Sequence, residues 1–292
     1  LKNLPTSWKI RNFFKNLLKL TRFPNLLIIG FTQYFAAIFL IGHPDNYMHL
    51  LTSFNMLVLS SSTVIIAAAG YIINDYYDVK IDYVNKPDKV IVGRHIKRRV
   101  VIFSHTALNV AGITLGLWLS WKIAVINFIA AFLLWLYSNQ LKRLPFVGNF
   151  IISILTGLSI IIVAVYFQRN FYLVLNYSVF AFSITIIREI IKDMEDITGD
   201  ERYGSRTLPI IWGIRKTKRF LYFLIAIFVV VLFYLASLLG NQILNNFFLI
   251  LLIPIAYFVY LLYRADTRNR YNQLSNYCKL FMLAGILSMT FF

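Results

Sequence analysis

Apolar residues run along this chain in long blocks, separated by short polar stretches. A window of about 19 residues marks nine blocks able to cross a bilayer: 24–42, 54–73, 100–119, 122–138, 147–167, 172–190, 218–239, 245–263 and 277–292. Only Ser120, Trp121 and Lys122 part the third from the fourth, and the ninth is short. The pattern predicts an all-α polytopic membrane protein, with one transmembrane domain over residues 1–292 and connecting loops at 74–99 and 191–217. Ahead of the first block, residues 1–23 include "WKIRNFFKNLLKLTRF", which mixes aromatics and leucines with cations at helical spacing. This reads as an interfacial amphipathic helix or as a basic topogenic tail, and the two are compatible. No short apolar region with a small-residue cleavage site is seen, so the expectation is no signal peptide and insertion through the first span.

Charge tests the span count independently. With the N-terminus inside, Lys and Arg should gather before the first span and in every second loop. All of the 29 Lys and Arg do so except Lys122 and Arg169. Nine spans with a cytoplasmic N-terminus follow. The net charge of +17 is thereby explained without nucleic acid, for which there is no motif. With 59% of residues apolar and 14% charged, the chain is too oily for a soluble domain. The lone Cys278 excludes an intrachain disulfide and a multi-cysteine metal site. His43, His49, His95 and His105 lack ligand spacing, so a histidine-built metal centre is not expected.

The acids carry more information. Ten of the twelve Asp and Glu fall in two segments. Asp75, Asp78 and Asp82 in "NDYYDVKID" form DxxDxxxD, and Asp193, Asp196 and Asp200 in "KDMEDITGD" repeat it. On a helix, positions i, i+3 and i+7 span an arc of about 60°, so each triplet makes one stripe. Glu189 extends the second stripe, and Glu195 points away from it. Three carboxylates on a stripe repel one another unless cations sit among them. Oxygen ligands without His or Cys select Mg²⁺ or a similar ion, which commonly joins one or two carboxylates to substrate phosphates. The rival readings are solvated acids at helix ends and a cation-transport site. Transport sites usually lie near the bilayer midplane, whereas these stripes follow even-numbered spans on the cytoplasmic side.

Cations surround the stripes. Lys86, Lys89 and Arg94 follow the first; Arg188, Lys192, Arg202 and Arg206 flank the second; Lys142 and Arg143 lie between spans four and five. Each is either topogenic or a partner for phosphate oxygens.

In these segments the sequence resembles the UbiA superfamily of intramembrane prenyltransferases. That superfamily carries NDxxDxxxD after the second span and DxxxD or DxxDxxxD after the sixth, in a nine-helix bundle. "NDYYDVKID" (74–82) matches the first motif, and "REIIKDMEDITGD" (188–200) with "YGSRTLPIIWG" (203–213) matches the second. "TRFPN" (21–25) and "YSNQLKRLPFVGN" (137–149) are also similar to family segments. The resemblance implies that Asp75, Asp78, Asp82, Asp193, Asp196 and Asp200 bind one or two Mg²⁺ and a diphosphate. It adds Asn25, Asn74, Lys86, Lys89, Arg94, Tyr137, Lys142, Arg188, Lys192 and Arg206 as substrate-binding candidates. The second motif is most similar to the branch that transfers a geranylgeranyl group to geranylgeranylglyceryl phosphate. After the first motif the family often reads NRPxRPI; this chain has "NKPDKVIV" and then the basic "GRHIKRR".

The implied reaction moves a prenyl group from its diphosphate to a lipid-soluble acceptor, with release of diphosphate. Metal and cations stabilise the leaving group, an apolar chamber excludes water, and aromatic faces support the allylic cation. Tyr71, Tyr76, Trp135 and Tyr137 are candidates, each with helix packing or interfacial anchoring as the plainer role. An aromatic, quinone-precursor or porphyrin-type acceptor, or a cation-coupled transporter, are the alternatives. The expected setting is a prokaryotic cell membrane with the site on the cytoplasmic side, membrane lipid around it and no obligate protein partner.

Overall fold

The computed structural model describes residues 15–42 and 47–292, and of Lys89 the backbone alone. Residues 1–14 of the expected interfacial segment 1–23 lie outside the described residues, and 15–20 are helical. Among the described residues, nine helices are long and apolar enough to cross a membrane, the first only together with the π-helical stretch that continues it to Ile41. They are α1 (Phe23–Phe35), α2 (Phe54–Asn85), α3 (Arg98–Leu119), α4 (Trp121–Asn139), α5 (Val147–Phe167), α6 (Phe171–Arg202), α7 (Leu208–Leu239), α8 (Gln242–Arg264) and α9 (Arg268–Ser288). A π-helical stretch, Ala36–Ile41, continues α1, and a short helix, Tyr47–Thr52, precedes α2.

Helices α2 and α6 outrun their apolar blocks. Each has 32 residues, about 48 Å of helix against a hydrocarbon core of about 30 Å. Residues 74–85 and 191–202, expected in the loops 74–99 and 191–217, are therefore helical. A hydropathy window stops where charge begins, but a helix stops only where its backbone is interrupted. For α2 that point comes just before Pro87, and for α6 just before Gly204, whose φ is 76°. Helix α7 begins earlier than its block and breaks at Gly213, with φ 75° and ψ 162°.

The described residues gather into two compact units. In the first, which runs up to Phe31 and resumes over Ser53–Gln140, α2 packs against α3 and α4. A Cβ on Gly112 would lie 2.7 Å from the Ile66 side chain, so glycine there permits the close approach of α3 to α2. Asn127, buried on α4, donates to Ser62 Oγ at 3.2 Å and to the Gly112 carbonyl at 3.0 Å, tying the three helices together. Leu20 packs with Ile72, Ile91, Val92, Ile96 and Val101. This small cluster fastens both the chain before α1 and the loop after α2.

In the second unit, Thr32–Thr52 with Leu141–Phe292, α6 is central and packs against α5, α7 and α9. Its apolar face buries Ile184, Ile187, Ile190 and Ile191 in a core shared with Leu221, Phe228, Phe258 and Phe281. Two side-chain amides find carbonyl partners inside the unit, as a hydrocarbon surrounding favours. Gln33 Nε2 donates to the Ser159 carbonyl at 2.8 Å, and Asn170 Nδ2 to the Leu40 carbonyl at 2.8 Å.

Candidate active site

The first acidic stripe rides on the last turns of α2, in the first unit. Because the helix runs unbroken to Asn85, Asp75, Asp78 and Asp82 keep the one-sided spacing their sequence predicts. Asn74 Nδ2 donates to Asp78 Oδ2 at 2.9 Å. Asp75 Oδ1 accepts from Arg22 Nη2 at 2.9 Å. The Arg22 guanidinium also lies 5.1 Å from the centre of the Tyr71 ring, one turn before Asp75. Partial burial works against the Arg22 charge, and Asp75, Tyr71 and Asp82 together outweigh it, raising an already high pKa. Arg22 has φ 51°, a left-handed conformation uncommon for arginine, in the bend that leads into α1. Asn25 closes that bend with its backbone N–H on the Arg22 carbonyl at 2.8 Å.

The cations after this stripe have distinct places. The Lys86 N–H caps α2 on the Asp82 carbonyl at 2.7 Å. Lys89 ends the short turn Pro87–Lys89. Arg94 is exposed on the tight turn held by the Val92–Ile96 bridge, where Gly93 has φ 83°. Arg98 lies 4.6 Å from the centre of the Tyr76 ring. The faces of Tyr71 and Tyr76 thus already carry guanidinium groups. Tyr137 is half-buried near the end of α4, while Trp135 is exposed beside Phe132.

The second stripe rides on the last turns of α6, in the second unit. Asp193 Oδ2 accepts from Asn149 Nδ2 at 2.8 Å. Asn149 is itself buried in the first turn of α5. Asp196 lies 3.8 Å from Arg268 Nη2, and the Asp200 carbonyl accepts from the Ser205 N–H at 2.9 Å. Glu195, expected away from the stripe, is buried and accepts from Asn272 at 2.9 Å.

Glu189 does not simply lengthen the stripe. Arg188 Nη1 donates to it at 2.8 Å and Lys192 Nζ at 2.9 Å, so both candidate phosphate ligands rest on this buried carboxylate. Lys142 sits half-buried in the turn Leu141–Arg143. The Arg206 N–H donates to the Arg143 carbonyl at 2.8 Å, which brings these two basic connectors together.

Arg22 and Asn149 are the partners that sequence reasoning did not single out. In the sequence Arg22 is one basic residue among many, marked only by its place in "TRFPN". Asn149 closes the "YSNQLKRLPFVGN" segment, with no sign of its contact to Asp193.

The donor set suits Mg²⁺. It consists of carboxylates and amides, and the single cysteine, Cys278, is buried on α9. Among the described residues no three His, Cys, Asp or Glu side chains converge closely enough to hold a metal alone. Carboxylates offered one or two at a time match an ion that fills its remaining positions with water and phosphate oxygens.

Comparison with known proteins identifies the family and the fold. The model of the UbiA prenyltransferase family matches residues 31–285. The digeranylgeranylglyceryl phosphate synthase of Methanosphaera stadtmanae is 31% identical over 85% of this chain and 89% of its own. That of Saccharolobus solfataricus is 34% identical over 79% and 83%. A solved digeranylgeranylglyceryl phosphate synthase structure superposes with TM-score 0.71 and 26% identity, covering 95% of this chain and 97% of that one. A UbiA homologue from Archaeoglobus fulgidus, solved with DMAPP and Mg²⁺, has the same fold at TM-score 0.64 and 17% identity, covering 94% and 99%.

Proposed function

The chain belongs to the UbiA prenyltransferase family, and from that premise we propose that it transfers a geranylgeranyl group from its diphosphate to a glycerol-phosphate-type lipid acceptor. The carrying observation is the pair of matched aspartate triplets, in each of which the first carboxylate is tethered by a residue distant in sequence, Arg22 for Asp75 and Asn149 for Asp193. Such tethering is costly to keep near a membrane unless the carboxylates have work to do. The relatives named above support the acceptor class, being digeranylgeranylglyceryl phosphate synthases.

In this reading Asp75, Asp78, Asp82, Asp193, Asp196 and Asp200 hold one or two Mg²⁺, with Asn74 steadying Asp78. Mg²⁺ supplies there the positive charge that favours a departing diphosphate. Lys142 and Arg206, on their joined connectors, bind phosphate oxygens. Lys86 and Arg94 extend the positive field after the first stripe, with Lys89 between them in sequence, while Arg188 and Lys192 contribute through their shared Glu189. Asn25 shapes the bend that presents Arg22. Apolar helix faces keep water from the allylic cation, and Tyr137 is the aromatic candidate for supporting it, at about 0.5–2 kcal/mol. The basic connectors support a cytoplasmic position for the stripes, in a prokaryotic cell membrane.

The test is incubation of purified protein with Mg²⁺, radiolabelled geranylgeranyl diphosphate and a panel of acceptors. Labelled digeranylgeranylglyceryl phosphate with equimolar diphosphate is expected, and Asp75→Ala or Asp193→Ala should abolish both. A labelled aromatic product instead would replace the acceptor class. Solute flux without diphosphate release would replace the enzyme reading with a transporter, and full activity in both variants would remove the stripes from the reaction.

A further inference from the structure

The two stripes differ in what holds their first carboxylate. Asp193 is bound by a neutral amide, whereas Asp75 is bound by a full positive charge. A guanidinium at 2.9 Å from Asp75 Oδ1 competes with any other cation for that carboxylate. Its presence is built into the fold. Leu20, two residues earlier, is anchored in the apolar cluster with Ile72 and Val101. The bend then forces Arg22 into a left-handed backbone conformation, and strain of this kind persists where surrounding contacts over-determine it.

The pair is also built to open. The Arg22 side chain keeps 36% of its surface exposed, so parting from Asp75 does not leave an orphaned buried charge of the costly kind. The Tyr71 ring, 5.1 Å from the guanidinium, offers the cation a second resting contact. A divalent ion attracts the carboxylate about twice as strongly as a monovalent one at equal distance.

We propose that Arg22 is an electrostatic latch on the first stripe: in the donor-free protein it occupies the cation position at Asp75, and it yields that carboxylate when Mg²⁺ arrives together with the prenyl diphosphate. The stripe therefore does not load metal fully before the donor, and the two substrates of the site, ion and diphosphate, bind cooperatively. Arg22 acts here as a positioning residue through Asp75. The proposal rests on the metal–diphosphate reading of the stripes.

The experiment measures Mn²⁺ binding to the donor-free protein in detergent by electron paramagnetic resonance. It is repeated with geranylgeranyl thiodiphosphate, a donor analogue whose leaving group departs slowly. Arg22→Asn removes the charge while retaining a residue that tolerates the left-handed bend, and Arg22→Lys keeps the charge. Without the analogue, Arg22→Asn should bind Mn²⁺ about fivefold tighter than the parent protein, with Arg22→Lys close to the parent. With the analogue, the advantage should disappear. Equal or weaker Mn²⁺ binding by donor-free Arg22→Asn, or an advantage that persists unchanged with the analogue, overturns the latch. Asp75→Asn separates the two levels. Loss of Mn²⁺ binding in Asp75→Asn beside no gain in Arg22→Asn refutes the latch alone. With the analogue present, unchanged binding in Asp75→Asn refutes the metal reading and the latch with it.

Discussion

Replacing Asn149 with alanine removes the carboxamide whose Nδ2 donates to Asp193 Oδ2 at 2.8 Å. The rest of the neighbourhood stays in place, because the Asn149 carbonyl still accepts from Ser153 Oγ at 2.7 Å and α5 keeps its first turn. A hydrogen bond to a charged group contributes about 1.5–3 kcal/mol. If that bond holds Asp193 in the orientation the reaction uses, its loss lowers kcat/KM by about 10- to 150-fold. The deficit should be largest at limiting Mg²⁺ and shrink as Mg²⁺ is raised, since excess ion compensates for a poorly oriented ligand. Asn149→Asp should do worse, for it sets a second carboxylate against the first. The assay is diphosphate release as a function of Mg²⁺ concentration at saturating donor and acceptor, on protein shown by size exclusion to be monodisperse. An Asn149→Ala variant with the parent's kcat/KM and the parent's Mg²⁺ dependence would refute the assignment of Asn149 to Asp193.

Two further substitutions probe the frame. Glu189→Gln leaves Arg188 and Lys192 without their shared anion, and should destabilise the protein by about 3 kcal/mol; this is the low end for a buried pair because 26% of the Lys192 side chain remains exposed. Denaturation in mixed detergent micelles reads the change, and an unaltered midpoint would show the cluster to be dispensable. Gly285→Ala puts a Cβ 2.1 Å from Phe180 Cε1, and that ring is already boxed in by Phe228 at 5.4 Å. Overpacking of about 1–3 kcal/mol should follow, visible as an earlier heat-induced loss of the monodisperse peak; a variant as heat-resistant as the parent would mean that Phe180 has room to turn.

Hydropathy and charge delimited most of the membrane helices closely: the blocks 100–119, 122–138 and 147–167 became Arg98–Leu119, Trp121–Asn139 and Val147–Phe167. Where a helix leaves the hydrocarbon the method loses sight of it, which is why the ends of α2 and α6 were assigned to loops. The aspartate stripes survived that error because their spacing is a property of the helix itself. Their partners were not legible. Arg22 and Asp75 are 53 residues apart, Asn149 and Asp193 are 44 apart, and nothing local distinguishes those donors from their neighbours. The partners of Glu189 were hidden for a different reason. Its spacing fits the stripe, but the adjacent Arg188 and the Lys192 one turn on offer it shorter-range partners. The π-helical stretch of α1 left no mark in its apolar sequence either.

The meeting of the Arg206 amide with the Arg143 carbonyl makes two remote connectors mechanically one. Lengthening the link between α4 and α5 by a single residue would carry the strand of chain before α7 with it, dragging a cation that the insertion never touched. Variation among such enzymes in either connector should therefore come in pairs, and a swap of one alone between relatives should misplace the charges of both.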